Sequence, residues 1–177
     1  THEHQDHVAG LDDVRPIIFR VRKEMALYGQ QRVLDRIKKA FDYAFKAQPY
    51  PGAPSFTTTS IEAELAFTIN GVEVLPLGIN HGNLPILGYR IGDTAYLTDV
   101  NEIPDEAMEQ LSGLNYLILD ALHRKEHYSH FNLTQAIEWA TKIGARHTYF
   151  IHMSHYMGKH EDVEKELPEG MKLSFDG

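Results

Sequence analysis

The chain contains no cysteine. Disulfides and thiolate ligands are excluded, so any metal must be held by histidine, carboxylate or water. No apolar run approaches the roughly 20 residues that cross a bilayer. No secretory-leader pattern opens the chain either, so the expectation is a cytoplasmic protein with no membrane partner. Basic residues are outnumbered: 17 Lys and Arg stand against 25 Asp and Glu, a net charge of −8. Binding to nucleic acid needs clustered Lys and Arg to release counterions, so a nucleic-acid partner is not expected. The 177 residues are 42% hydrophobic and 24% charged, which suits one globular domain over residues 1–177.

Histidine is what the chain has in quantity, eleven in all. Three fall at the very start, in Thr1-His2-Glu3-His4-Gln5-Asp6-His7. In an extended segment His2, His4 and Asp6 would share one face, and a turn near Asp6 would bring His7 back toward them. Imidazole and carboxylate suit zinc, iron or manganese, and four such groups this close can serve two adjacent ions. The alternative, a solvated histidine-rich terminus, fits poorly with the interleaved acids and the foldable sequence that follows.

Further along, residues 10–20 read as loop and short helix, and 24–28 as a short strand closed by Gly29. Val33, Leu34, Ile37, Ala40, Phe41, Ala44 and Phe45 fall on one face of a helix. Pro49, Pro51, Gly52 and Pro54 end it in a rigid loop. Asn70-Gly71 between residues 65–69 and 72–79 signals a hairpin, and Gly92-Asp93 between 87–91 and 94–98 signals another. Pro104 at the first helical position would start a short helix that buries Ala107, Met108 and Leu111. Residues 116–119 read as a strand buried on both faces. Asn132 and Gln135 form a capping box for a helix ending at Gly144. A strand over 148–151, a polar helix over 161–167 and a strand over 171–175 complete a mixed α/β chain, with helices outside β layers.

Ligand-type residues recur at strand ends: His81, Asp99 and His152. In order, the opening motif is followed by Asn80-His81, Leu97-Thr98-Asp99, Ser129-His130 and Ile151-His152-Met153-Ser154-His155, closing on Phe175-Asp176-Gly177. This series resembles the metallo-β-lactamase superfamily, in the branch of tRNA 3′-processing endonucleases and the cyclic-phosphate phosphodiesterases of phosphonate breakdown. The resemblance implies an αββα sandwich and a dinuclear centre of two divalent transition metals, Zn or Mn. His2, His4 and His81 would hold one ion, Asp6, His7 and His152 the other, with Asp99 bridging. It implies catalytic roles for His130, as general acid or phosphate contact, and for Asp6.

The function so implied is hydrolysis of a small or cyclic phosphodiester by a hydroxide held between the ions. A thioester or lactam hydrolase on the same centre is the first alternative, and a non-catalytic metal-binding protein of this fold is the second. His123, Arg124, Lys125 and His127 offer positive charge for a phosphate, against a reading as a solvated loop. His155 and His160 are expected near the site's periphery or on the surface, and His147 on the surface. Two features depart from the family: no basic arm for tRNA is present, and the motif lies at residue 2. A domain lacking the strands that usually precede the motif would expose apolar sheet edges. The expectation is therefore an N-terminally incomplete domain, with pairing of two chains into a homodimer as one consequence.

Overall fold

The computed structural model describes residues 1–176; Gly177, the last residue of the closing motif, lies outside them. The chain divides into two compact units, Thr1–Glu62 and Ala63–Gly177.

The first unit opens with α1 (Gln5–Val8), a 3-10 turn over Ala9–Val14 and α2 (Arg15–Val21). Strand β1 (Met25–Gly29) leads into α3 (Gln31–Ala40), and β2 (Phe56–Ser60) then pairs with β1 in parallel, Met25 opposite Phe56. The core is Val8, Ile18, Val33, Ile37, Phe41, Ala44 and Phe56. The helix expected to reach Phe45 stops at Ala40, where Phe41 leaves helical geometry at φ −113, ψ 40. A 3-10 turn over Asp42–Ala44 continues the path, so Phe41 and Ala44 still reach the core. Strand β2 was not expected. Its Thr57-Thr58-Thr59 run suits a pleated strand, but its only buried residue is Phe56, so it carries little apolar alternation.

The second unit is a seven-stranded sheet in sequence order: β3 (Phe67–Ile69), β4 (Val72–His81), β5 (Leu84–Ile91), β6 (Thr94–Leu97), β7 (Tyr116–Asp120), β8 (His147–Ile151) and β9 (Met171–Leu173). Strands β3 to β6 are antiparallel neighbours, and β6 to β9 run parallel. Asn70 and Gly71, at φ 50 and 83, make the tight turn that the Asn-Gly pair foretold. Strand β5 begins three residues earlier than expected, so His81 pairs with Leu84 inside a long hairpin.

Helices α4 (Asp105–Glu109), α5 (Leu133–Ile143) and α6 (His160–Glu164) complete this unit. Pro104 stands as the cap of α4 rather than as its first helical residue. The capping box is formed: Gln135 N donates to Asn132 Oδ1 at 2.9 Å, and Asn132 N donates to Gln135 Oε1 at 3.0 Å. Such a cap contributes about 1 kcal/mol. One sheet face, with Ala95, Leu97, Leu117, Leu119, Phe150 and Leu173, joins Ala107, Leu111, Leu133, Ala136, Ala140 and Val163 in a single core. The opposite face is more open. Tyr116 is 44% exposed, and Ile118 is only half-buried, so β7 is not covered on both sides.

Candidate metal centre

Because β4 and β6 each run antiparallel to β5, they point the same way as β7 and β8. The C-terminal ends of all four strands therefore open on one sheet edge, the usual place for a site in a sheet of this kind. His81 ends β4, Asp99 follows β6 by two residues, Asp120 ends β7 and His152 follows β8 directly. His130 joins them from the loop between β7 and the capped α5.

Asp99 and Asp120 are 2% and 0% exposed, and His81 and His130 are also buried. His81 Nδ1 lies 2.8 Å from the Ser129 carbonyl oxygen. Since a carbonyl can only accept, Nδ1 carries the proton and Nε2 keeps its lone pair for a ligand. Asp120 spans two imidazoles: its Oδ2 is 3.1 Å from His130 Nδ1 and its Oδ1 is 3.4 Å from His152 Nδ1. The Nε2 atoms of the same rings face Asp99 Oδ1, at 4.0 Å for His130 and 3.4 Å for His152. Thr98 Oγ1 donates to Asp99 Oδ2 at 2.6 Å, fixing the carboxylate plane.

The backbone is strained where the donors stand. Asp99 and His152 adopt the left-handed region, at φ 56 and 60. Non-glycine residues there cost roughly 1–3 kcal/mol each, and the surrounding sheet must hold them. Gly82, at φ 61, turns the chain just after His81, and its N–H donates to Asn101 Oδ1 at 2.5 Å.

Burial pushes the Asp120 carboxyl up to about 8. His152 and the Phe131 and Asp99 backbone groups pull against that rise, while the Asp99 charge adds to it. Two sealed carboxylates beside imidazoles fit a divalent cation, which would offset their charge and accept nitrogen and oxygen donors. Ligand atoms of His81, Asp99 and His130 lie within 4.8 Å of one another, as do those of Asp120, His130 and His152. His130, read from the sequence as a catalytic group, therefore stands within reach of these donors.

The first unit holds its own histidine group. His2 packs against His4 and His7, with ring centroids 4.4 Å apart in both pairs. His2 is buried, whereas His4 and Asp6 are exposed. Alternation along an extended segment applies only up to His4. Helix α1 begins at Gln5, so Asp6 lies on a helical turn and not on a shared strand face. That turn is closed by the His7 N–H donating to the His4 carbonyl at 3.1 Å, which brings His7 back as the motif suggested. Arg32 and Glu3 form an ion pair beside the group.

Asp120 was missed in the sequence, although it closes β7 at the same sheet edge where Asp99 follows β6. Of the remaining histidines, His155 and His160 are exposed, and His147 is half-buried, its ring stacked on Tyr116 at 5.6 Å. Among the described residues no helix is long and apolar enough to cross a membrane.

The sequence matches the beta-lactamase superfamily domain over residues 1–153. A relative from Porphyromonas gingivalis named octanoyltransferase is 41% identical over 178 residues, covering 100% of this chain and 36% of that protein. The chain thus spans about a third of the length of that curated relative. A crystal structure described as a new diphosphatase from the PhnP family is 38% identical, with a TM-score of 0.90; the match covers 100% of this chain and 67% of that one. The short form of human tRNase Z shares the fold at 15% identity, with a TM-score of 0.72, covering 99% and 74% of the two chains.

Proposed function

Because the chain belongs to the β-lactamase superfamily, we propose that it is a metal-dependent phosphodiesterase acting on a small or cyclic phosphodiester. The fold class read from the sequence, a mixed α/β metallo-β-lactamase sandwich, is borne out, and so is the branch, which includes the PhnP-type diphosphatase and tRNase Z. The observation that carries the functional reading is His130: buried, tied through Nδ1 to Asp120, and presenting Nε2 beside Asp99.

The ligand assignment is part of the proposal. As the family resemblance implies, His2, His4 and His81 would hold one ion and Asp6, His7 and His152 a second, with Asp99 serving both. Either Zn or Mn suits such nitrogen and oxygen donors. When bound, the ions supply Lewis acidity and a water of lowered pKa. The chain's own groups then do the following. Asp99 sets the charge of the centre and is held by Thr98. Asp120 orients the rings of His130 and His152 and stabilises whichever carries positive charge. His130 donates a proton from Nε2 to the departing oxygen, the general-acid half of the reaction.

The Porphyromonas gingivalis relative's name denotes acyl transfer, so an acyl substrate belongs in the test. Purified protein loaded with Zn²⁺ or Mn²⁺ is assayed on bis(p-nitrophenyl) phosphate, on a thioester and on nitrocefin. Metal-dependent turnover of the diester above the other two is expected. Turnover of the thioester or lactam alone would replace this reading, and metal binding without any turnover would leave a non-catalytic protein.

A further inference from the structure

In the seven-stranded sheet, β4 and β6 are both neighbours of β5 and not of each other. His81, at the end of β4, and Asp99, after β6, thus stand on strands that no ladder joins directly. The pairing of β5 with β6 stops at Tyr89 and Tyr96, well short of the β4–β5 tip, where His81 faces Leu84. No ladder bond therefore sets the spacing of these two donors. A separate set of bonds crosses the gap.

The segment after Asp99 lies against the tip in an isolated antiparallel bridge between Asn80 and Glu102. Asn80 N donates to the Glu102 carbonyl at 3.0 Å, and Asn101 N donates to the Asn80 carbonyl at 3.0 Å. Asn80 Nδ2 donates to Glu102 Oε2 at 2.8 Å, and Gly82 N donates to Asn101 Oδ1 at 2.5 Å. Gly82 is the first residue of a two-residue turn, so its N–H has no acceptor within the hairpin ladder. The Asn101 side chain supplies that acceptor.

The same segment holds the loop that carries His130, since Phe131 N donates to the Val100 carbonyl at 2.8 Å. That loop returns to the tip through His81 Nδ1, 2.8 Å from the Ser129 carbonyl oxygen. The ties close a triangle, and a donor stands at each corner. His81 lies between Asn80 and Gly82, Asp99 precedes Val100, and His130 lies between Ser129 and Phe131. Val100, Ile103 and Phe131 are buried together in the core and anchor the triangle. There is little slack at the tip, because a Cβ on Gly82 would stand 3.3 Å from the Ser129 Cβ.

We propose that Asn101 is a positioning residue of the metal centre, fixing the β4–β5 tip so that His81 meets Asp99 at the spacing an ion requires. It acts through Gly82 and touches neither ion nor substrate. The hairpin is already held by its register from Leu75 to His81, so the Asn101 bond governs donor spacing more than fold stability. This role rests on the metal-dependent reading of the site, but on no particular substrate.

The test compares Asn101→Ala, which removes the acceptor, with Asn101→Asp, which keeps an oxygen in its place. Val163→Ala, a core change on α6, serves as the control for lost stability alone. Zn²⁺ affinity of the full chain is measured by competition with a chelator, and amide exchange at Gly82 is followed by NMR in the metal-free chain. Asn101→Ala is expected to lower the affinity about 10–100-fold, the usual cost of losing a group that orients a ligand, and to speed exchange at Gly82. Asn101→Asp is expected to restore both, and Val163→Ala to leave Zn²⁺ affinity unchanged. Unchanged affinity in Asn101→Ala, or an equal loss in Val163→Ala, would overturn the positioning role. Affinity restored by Asn101→Asp without renewed protection of Gly82 would overturn it too, since charge and not the bond would then be responsible. A chain that binds Zn²⁺ with the expected pattern but cleaves no diester keeps the positioning role and loses the hydrolase reading. A chain that binds neither Zn²⁺ nor Mn²⁺ loses both.

Discussion

The two histidine groups are built in opposite ways. In the first unit His2, His4 and His7 meet because they are neighbours in sequence, and a single helical turn gathers them. In the second, His81, Asp99, His130 and His152 come from positions up to 71 residues apart and meet because four strands end on one edge. The local group leaves His4 and Asp6 exposed, whereas Asp99, Asp120, His81 and His130 in the assembled group are buried. Burial removes competing water and makes each partner matter more, so the assembled group should dominate both metal affinity and chemistry.

The sharpest way to break this contrast is Asp99→Ala. Asp99 faces both His130 and His152, and its loss should lower diester hydrolysis by at least about 10⁴-fold, the upper end of an acid–base contribution. Elemental analysis should find less metal. Unchanged metal content in this variant would remove Asp99 from the centre.

His130→Ala comes next. If His130 is a proton donor, both metals stay and hydrolysis of alkyl diesters falls by about 10²–10⁴-fold. Esters of p-nitrophenol, whose leaving group needs little protonation, should suffer much less. Equal losses for both kinds of ester would make His130 a positioning group. Loss of metal would make it a ligand, as its place in the cluster permits.

Asp120→Asn tests whether orientation of the rings carries the difference between the two regions. It keeps the shape but weakens the carboxylate's hold on two imidazoles, so metal affinity should drop by about 10–100-fold in a competition titration with a chelator. His4→Ala, at an exposed position in the local group, should cost less affinity than Asp120→Asn. The reverse order would overturn the ranking of the two groups.

The smallest effect concerns the scaffold of the first group. Burial raises the Glu3 pKa, but a backbone hydrogen bond and Arg32 outweigh it, leaving the carboxyl below its ordinary 4.5. A lowered folded-state pKa gives stability that is present above the unfolded value and lost as pH falls through the folded one. Arg32→Ala should therefore lower the thermal midpoint by a few degrees at pH 7. The difference should shrink as the pH falls below 4.5, where Glu3 takes up its proton. A difference that persists unchanged at low pH would mean Arg32 acts through packing alone.

Much of this molecule was legible because the signals are short-range. Asn70-Gly71 makes its turn, and Asn132 and Gln135 form their capping box, since each needs only residues a few positions apart. The opening motif announced a histidine group for the same reason, although the start of a helix at Gln5, and not strand alternation, shapes it. Strand β2 escaped notice because its pairing with β1 spans more than half of the first unit, and its threonines carry no apolar alternation.

The order of motifs along the chain determined the family, the fold class and the presence of donors for a metal. Tertiary structure alone decided that Asp120 sits under two imidazoles, that His130 lies within the cluster, and that Asp99 and His152 take left-handed backbone geometry. Those properties belong to the edge of a sheet. Strand direction and register bring distant carboxyl ends together there, and no local pattern encodes which of several acids will be sealed from water.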